Sequence, residues 1–160
     1  MNKPKAIGIV HSPYKDRAQA PSQNGTKLST IEIFPEYEKG LTDIEGFSHL
    51  HIIYWLHQAR QPTMMVYTPH DATPHGLFAT RSPHRINPIA YAIIELVTRE
   101  KNILTVRGLD AIDSTPVIDI KPYIPKIDLI VNARTGWLKK FRAGTTKSTR
   151  SAASRKKERS

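Results

Sequence analysis

Cysteine is absent from the 160-residue chain. Its absence excludes disulfides, thiolate metal centres and a cysteine nucleophile. It also suits a reducing compartment, so the cytoplasm is the expected location. Long apolar runs are missing too, and none approaches the roughly 20 residues of a membrane-spanning helix. The start, Met1-Asn2-Lys3-Pro4-Lys5, leads into only a short apolar stretch, so no signal peptide is expected. Glycine is scarce at eight residues, and the closest pair, Gly40 and Gly46, cannot form G-x-G-x-x-G. There is no G-x-x-x-x-G-K-[ST] and no G-x-S-x-G either. A dinucleotide Rossmann site, a P-loop and a hydrolase elbow therefore have no support.

Acidic residues are also few, 14 against 24 Lys+Arg, for a formal net charge of +10. The excess is concentrated at one end. From Leu138 to Ser160 there are nine basic residues and one acid, Glu158, so 9 − 1 = +8. Residues 1–137 hold 15 basic and 13 acidic residues, or +2. The terminal segment has little apolar surface to offset the entropy of ordering, so 138–160 reads as a basic, disordered tail. It is either a solubilising tail or an arm that grips phosphates without sequence preference.

Residues 1–137 read as one domain of short strands. Lys5–Val10 suits a first strand that Pro13 brings to an end, and residues 15–26 suit a polar loop. Thr30–Phe34 is a second strand. Pro35–Gly40 suits a short helix, with Pro in the first turn and Gly at the end. Ser48–His57, Met64–Thr68, Tyr91–Thr98, Ile103–Val106, Val117–Ile120 and Leu129–Val131 follow as strands. Pro69–Gly76 and Arg81–Pro88 read as loops. About seven or eight short strands with frequent turns predict a mainly β fold, a single small barrel.

His49, His51 and His57 share parity on one predicted strand. His57 would lie roughly 20 Å from His51 at about 3.3 Å per residue, so the three cannot meet on one ion. No H-x-E or H-E-x-x-H completes a zinc site, and no metal is expected. Partly buried or inter-subunit histidines are the better reading.

Three polar segments exceed what a scaffold needs: Ala20–Gly25, Gly76–Ile89 and Gly108–Tyr123. Rigid loops with Arg, Asn and Asp at strand ends are where a β scaffold builds a polar ligand site. Several marks stand in order along the chain. They are Ile7-Gly8-Ile9-Val10-His11-Ser12-Pro13-Tyr14, Pro21-Ser22-Gln23, Gly40-Leu41, Phe47-Ser48-His49-Leu50 and His57-Gln58. Phe78-Ala79-Thr80-Arg81-Ser82-Pro83, Asn87-Pro88-Ile89 and Thr115-Pro116-Val117-Ile118-Asp119-Ile120-Lys121-Pro122-Tyr123 complete the set. Together they resemble the TsaA/TrmO-like family, also called VirR-like, from about Ile7 to Asp128.

The resemblance implies a small β-barrel that forms homodimers and binds S-adenosylmethionine (SAM) without a Rossmann fold. It implies a cofactor site of Gln23, Asn24, Gly25, His57, Gln58, Arg81, Tyr91, Leu109, Asp110, Ala111 and Ile112. Arg81 suits the SAM carboxylate. Asp110 suits its ribose hydroxyls or amino group, and Tyr91 its sulfonium. His57 is the candidate general base, though a weak one. The implied activity is methylation of RNA, and of tRNA above all. The target would be N6 of threonylcarbamoyl-adenosine at tRNA position 37, with the basic tail on the RNA. The alternatives are a SAM-binding regulatory or sensor module without methyl transfer, and methylation of a small molecule. Three departures stand out. Ile86 and Ala90 replace a Pro and a Gly of the family's loop, and no Asp-Pro-Arg follows Tyr123.

Overall fold

The computed structural model describes residues 4–21 and 25–140. Residues 1–129 form one compact unit and residues 130–160 a second. In the first unit, β1 (Gly8–His11), β2 (Leu28–Ile33) and β3 (His49–Trp55) are followed by β4 (Met65–Thr68) and β5 (Asp71–Gly76). Then come β6 (Ile89–Glu100), β7 (Ile103–Arg107), β8 (Pro116–Pro122) and one helical turn, α1 (Pro125–Asp128). Six strands close a barrel in the order β1-β2-β7-β6-β3-β8, while β4 and β5 form a separate two-stranded sheet. All the pairings are antiparallel. The expected barrel is present, with six of the eight strands in its wall.

Alternation decides which side chains fill it. Val10, Ile31, Ile33, Leu50, Ile52, Leu104, Val106 and Val117 are buried at every second position of their strands. Each such side chain contributes about 1.5–3 kcal/mol through removal from water. Tyr54 has the parity of Leu50 and Ile52, so it points inward too and is buried at one mouth of the barrel.

Pairing fixes which connections share a mouth. Trp55 pairs with Ile89, so the β3–β6 connection, residues 56–88, lies at the end where Tyr54 points. Leu28 pairs with Arg107, which brings the β1–β2 loop and the β7–β8 loop to the same end. The β2–β3 connection, residues 34–47, lies at the opposite end. It contains 3-10 helices at Pro35–Leu41 and Ile44–Gly46 in place of the expected short helix.

Two expectations fail. Pro69–Gly76 is largely strand: Asp71–Gly76 pairs back on Met65–Thr68 around Pro69 and His70. Pro74 is tolerated because a two-stranded ribbon has only edges, where a missing N–H costs no ladder bond. Leu129–Val131 is not a strand. Pro125 opens a helical turn instead; the Ile124 N–H donates to the Asp128 carboxylate at 2.7 Å, and the Leu129 N–H to the Pro125 carbonyl. In the second unit, Gly136–Lys140 forms a 3-10 turn. The expected tail lies outside the described residues from position 141 onward.

Candidate functional site

The mouth around Tyr54 gathers loops from three parts of the chain. Gly108 turns the chain after β7 with φ +98°, a left-handed conformation that favours glycine. The next residue, Leu109, is fully buried, and its carbonyl lies 2.8 Å from where a Cβ on Gly25 would be. Only glycine lets the first loop approach the β7–β8 loop so closely. Further along, the Asp113 carboxylate accepts the Ser12 N–H and pairs with Lys15, both at 2.9 Å. The Asp113 and Ser114 N–H groups donate to the Tyr14 and Val10 carbonyls. The first loop and residues 108–115 are therefore one cross-linked wall.

Asp110 sits inside this wall, and the Tyr54 hydroxyl donates to its carboxylate. Burial pushes the Asp110 carboxyl above its ordinary range, opposed by the Tyr54 hydrogen bond, a backbone hydrogen bond and the Arg81 charge. Burial, then the Asp110 charge and hydrogen bond, push the Tyr54 phenol far up, so it remains a donor. On the outer side of the mouth, Tyr91 on β6 pairs with Ile53 and is 49% exposed. The Arg81 guanidinium donates to the Tyr91 hydroxyl at 3.4 Å and lies 5.6 Å from its ring centroid. Arg81 thus contacts the exposed ring and reaches the half-buried Asp110 carboxylate through its charge alone.

Arg85 builds the loop that carries Arg81. Its guanidinium donates to the Thr80, Ser82 and Leu77 carbonyls at 3.1, 3.3 and 3.5 Å. The Leu56 N–H ties the same loop to β3 through the Pro88 carbonyl at 2.7 Å. Ile86 is exposed, so its replacement of a proline alters the loop's surface.

Of the expected residues, Gly25, Leu109 and Asp110 meet at the mouth, and Arg81 and Tyr91 pair beside it. Leu109, Ala111 and Ile112 are core side chains, so only their backbone groups can meet a ligand. His57 and Gln58 are exposed in the turn after β3. Among the described residues, neither side chain bonds to Asp110, Arg81 or Tyr91. Gln23 and Asn24 lie outside the described residues. Tyr54 was not anticipated, although its parity with Leu50 and Ile52 was visible.

The histidines also resolve. His57 follows β3 rather than lying on it. His49 Nδ1 lies 2.9 Å from Ser48 Oγ, whereas His51 Nε2 lies 3.3 Å from Asp128 and its ring 6.1 Å from that of Tyr91. Among the described residues, no group of three or more His, Asp and Glu is arranged to hold a metal ion.

Comparisons with known proteins agree on one group. Residues 9–129 match the family described as tRNA-methyltransferase O N-terminal domain. A probable S-adenosyl-L-methionine-binding protein of Archaeoglobus fulgidus is 51% identical over 135 residues, covering 83% of this chain but 37% of that protein. The tRNA (adenine(37)-N6)-methyltransferase of Escherichia coli is 33% identical over 144 residues, covering 82% of this chain and 60% of the enzyme. A crystal structure of TrmO superimposes with a TM-score of 0.73 at 31% identity, covering 85% of this chain and 64% of that one.

Proposed function

The chain belongs to the tRNA-methyltransferase O N-terminal domain family, and from that membership we propose that it binds SAM at the Tyr54 mouth and methylates tRNA. The proposed target is the adenosine N6 of threonylcarbamoyl-adenosine at position 37. One observation carries the choice of mouth: a half-buried carboxylate, Asp110, held by Tyr54, within electrostatic reach of an exposed arginine.

The residues present suit the cofactor's chemistry. Asp110 is a half-buried acceptor for ribose hydroxyls or an ammonium group. Arg81 is the matching donor for a carboxylate. Tyr91 offers a π face to a cation, although Arg81 also competes for that ring.

When bound, SAM supplies a methyl group on a sulfonium, already activated for transfer to nitrogen. The chain's own work is then mostly positioning. Asp110 and Arg81 fix the two ends of the cofactor, while the buried Leu109, Ala111 and Ile112 keep water from one side. The substrate amino group must lose one proton. His57 is the proposed acceptor, since it is exposed at the same end and no hydrogen bond among the described residues occupies its ring.

A homodimer and a cytoplasmic location belong to the same proposal. The outer face of β6 leaves Ile89, Ile93 and Val97 exposed, which suits a partner copy. Among the described residues, no helix is long and apolar enough to cross a membrane. The basic tail is proposed to add phosphate affinity.

A second reading, a SAM-binding module without methyl transfer, is supported by the Archaeoglobus relative, whose name states binding alone. Incubation with methyl-labelled SAM and tRNA lacking the N6-methyl group separates the two. Label on the N6-methylated nucleoside, lost in Arg81→Ala, supports the enzyme. Saturable SAM binding with unlabelled tRNA supports the module.

A further inference from the structure

At the same end of the barrel, Arg17 and the Arg60 backbone meet the two ring nitrogens of His84. The Arg60 backbone N–H donates to His84 Nδ1 at 2.9 Å. That nitrogen is therefore an acceptor, and the ring proton of a neutral imidazole must sit on Nε2. His84 Nε2 lies 3.2 Å from Arg17 Nη1, which is always a donor. Two donors thus face one another and need a shared acceptor. Burial first, then the Arg17 and Arg60 charges, lower the His84 pKa, so the ring is neutral near pH 7. Among the described residues, no carboxylate pairs with Arg17, Arg60 or Arg85.

The segment that carries His84 also carries an aromatic platform. Phe78 is 76% exposed, and the Arg85 guanidinium lies 6.0 Å from its ring centroid. Anion acceptors missing between two donors, beside an exposed ring, make the combination that single-stranded nucleic acid fills: phosphate on the donors and a base on the ring. His84 and Phe78 flank Arg81 by three residues each, so an occupant would lie beside the cofactor mouth.

We propose that Arg17 and His84 bind a backbone phosphate of the substrate RNA and that Phe78 stacks on a neighbouring base, delivering the target adenosine to the mouth. This assignment rests on the RNA-methyltransferase reading.

The test measures binding of the full-length protein to a synthetic tRNA anticodon stem-loop across a salt series, with SAM affinity measured in parallel. Arg17→Ala and His84→Ala should each weaken RNA binding about tenfold. Arg17→Ala should also flatten the salt slope by about 0.7, whereas His84→Ala, which removes a neutral ring, should leave the slope unchanged. Phe78→Ala should cost at least about fivefold without changing the slope. Arg17→Lys should restore most of the loss, and SAM affinity should hold throughout.

If the wild type binds RNA but the variants match it in affinity and slope, this site is overturned and the methyltransferase reading survives. If the wild type binds no RNA, both fall. Loss of SAM affinity in step with RNA would place Arg17 in the cofactor pocket and overturn a separate site. Inorganic phosphate serves as a second probe. Should it shift the His84 ring resonances while the variants leave RNA affinity unchanged, the pair is a small-phosphate site and the RNA assignment is overturned.

Discussion

The two ends of the barrel share one core and carry opposite chemistry. Residues 34–47 hold four acids and one lysine, 1 − 4 = −3, whereas residues 56–88 hold three arginines and one aspartate, 3 − 1 = +2. The acidic end also has a concavity of about 460 Å³, lined mainly by apolar side chains such as Ile33, Leu41, Ile44 and Phe47. The basic end has the tied carboxylate, the exposed arginine and the close glycine. The charges and donor groups that a zwitterionic cofactor and a polyanion need are at the basic end. A near-neutral barrel can therefore still be polarised, and its total charge hides this.

Substitutions at the basic end should have the largest effects on binding. Arg81→Ala is expected to weaken SAM binding about 10- to 100-fold by calorimetry, the worth of a charge-assisted hydrogen bond. Its thermal midpoint should scarcely move, because Arg81 is exposed. Tyr54→Phe comes next. It leaves a half-buried carboxylate without its hydroxyl donor, at about 1–3 kcal/mol of stability. That corresponds to a midpoint fall of roughly 2–12 °C in a thermal melt.

Acid titration probes the wall behind the site. The Lys15 hydrogen bond, then the Ser12 backbone N–H, hold the Asp113 carboxyl below its ordinary value of 3.8. A depressed folded pKa gives stability that is present above the unfolded value and is lost as pH falls through the folded one. Asp113→Asn should therefore flatten the acid limb of a stability–pH curve below about pH 4, with its stability loss greatest at neutral pH and vanishing in acid. The smallest effect belongs to the other end. Glu36→Gln with Glu38→Gln should leave SAM affinity within about twofold, since exposed charges that far away are screened. A larger change there would erase the contrast between the ends.

Alternation made the wall legible in advance. Strands β1, β2, β3, β7 and β8 lie within a few residues of their expected positions because apolar and polar residues alternate there. β4 lies where Met64–Thr68 was expected as a strand, but its partner β5 was hidden because Pro69, Pro74 and Gly76 signal a loop, and an edge ribbon tolerates them. Leu129–Val131 resembles a strand in composition, but it has no neighbour to pair with after the turn at Pro125. Arg81, Tyr91 and Asp110 were found through motif order, since nothing local distinguishes Asp110 from Asp113. Tyr54 was missed because its role depends on the depth at which a loop 56 residues away crosses the barrel mouth. The His84 contacts were equally invisible, because they join the first loop to the β5–β6 loop only after the barrel closes.

Amide and methyl NMR of the full chain titrated with SAM tests the central claim most directly. The account predicts saturable shifts at Gly25, Tyr54, Arg81, Tyr91 and Leu109–Ile112, with Ile33, Leu41, Ile44 and Phe47 unmoved. Shifts concentrated on Ile33, Leu41, Ile44 and Phe47, with the Tyr54 mouth silent, would contradict it.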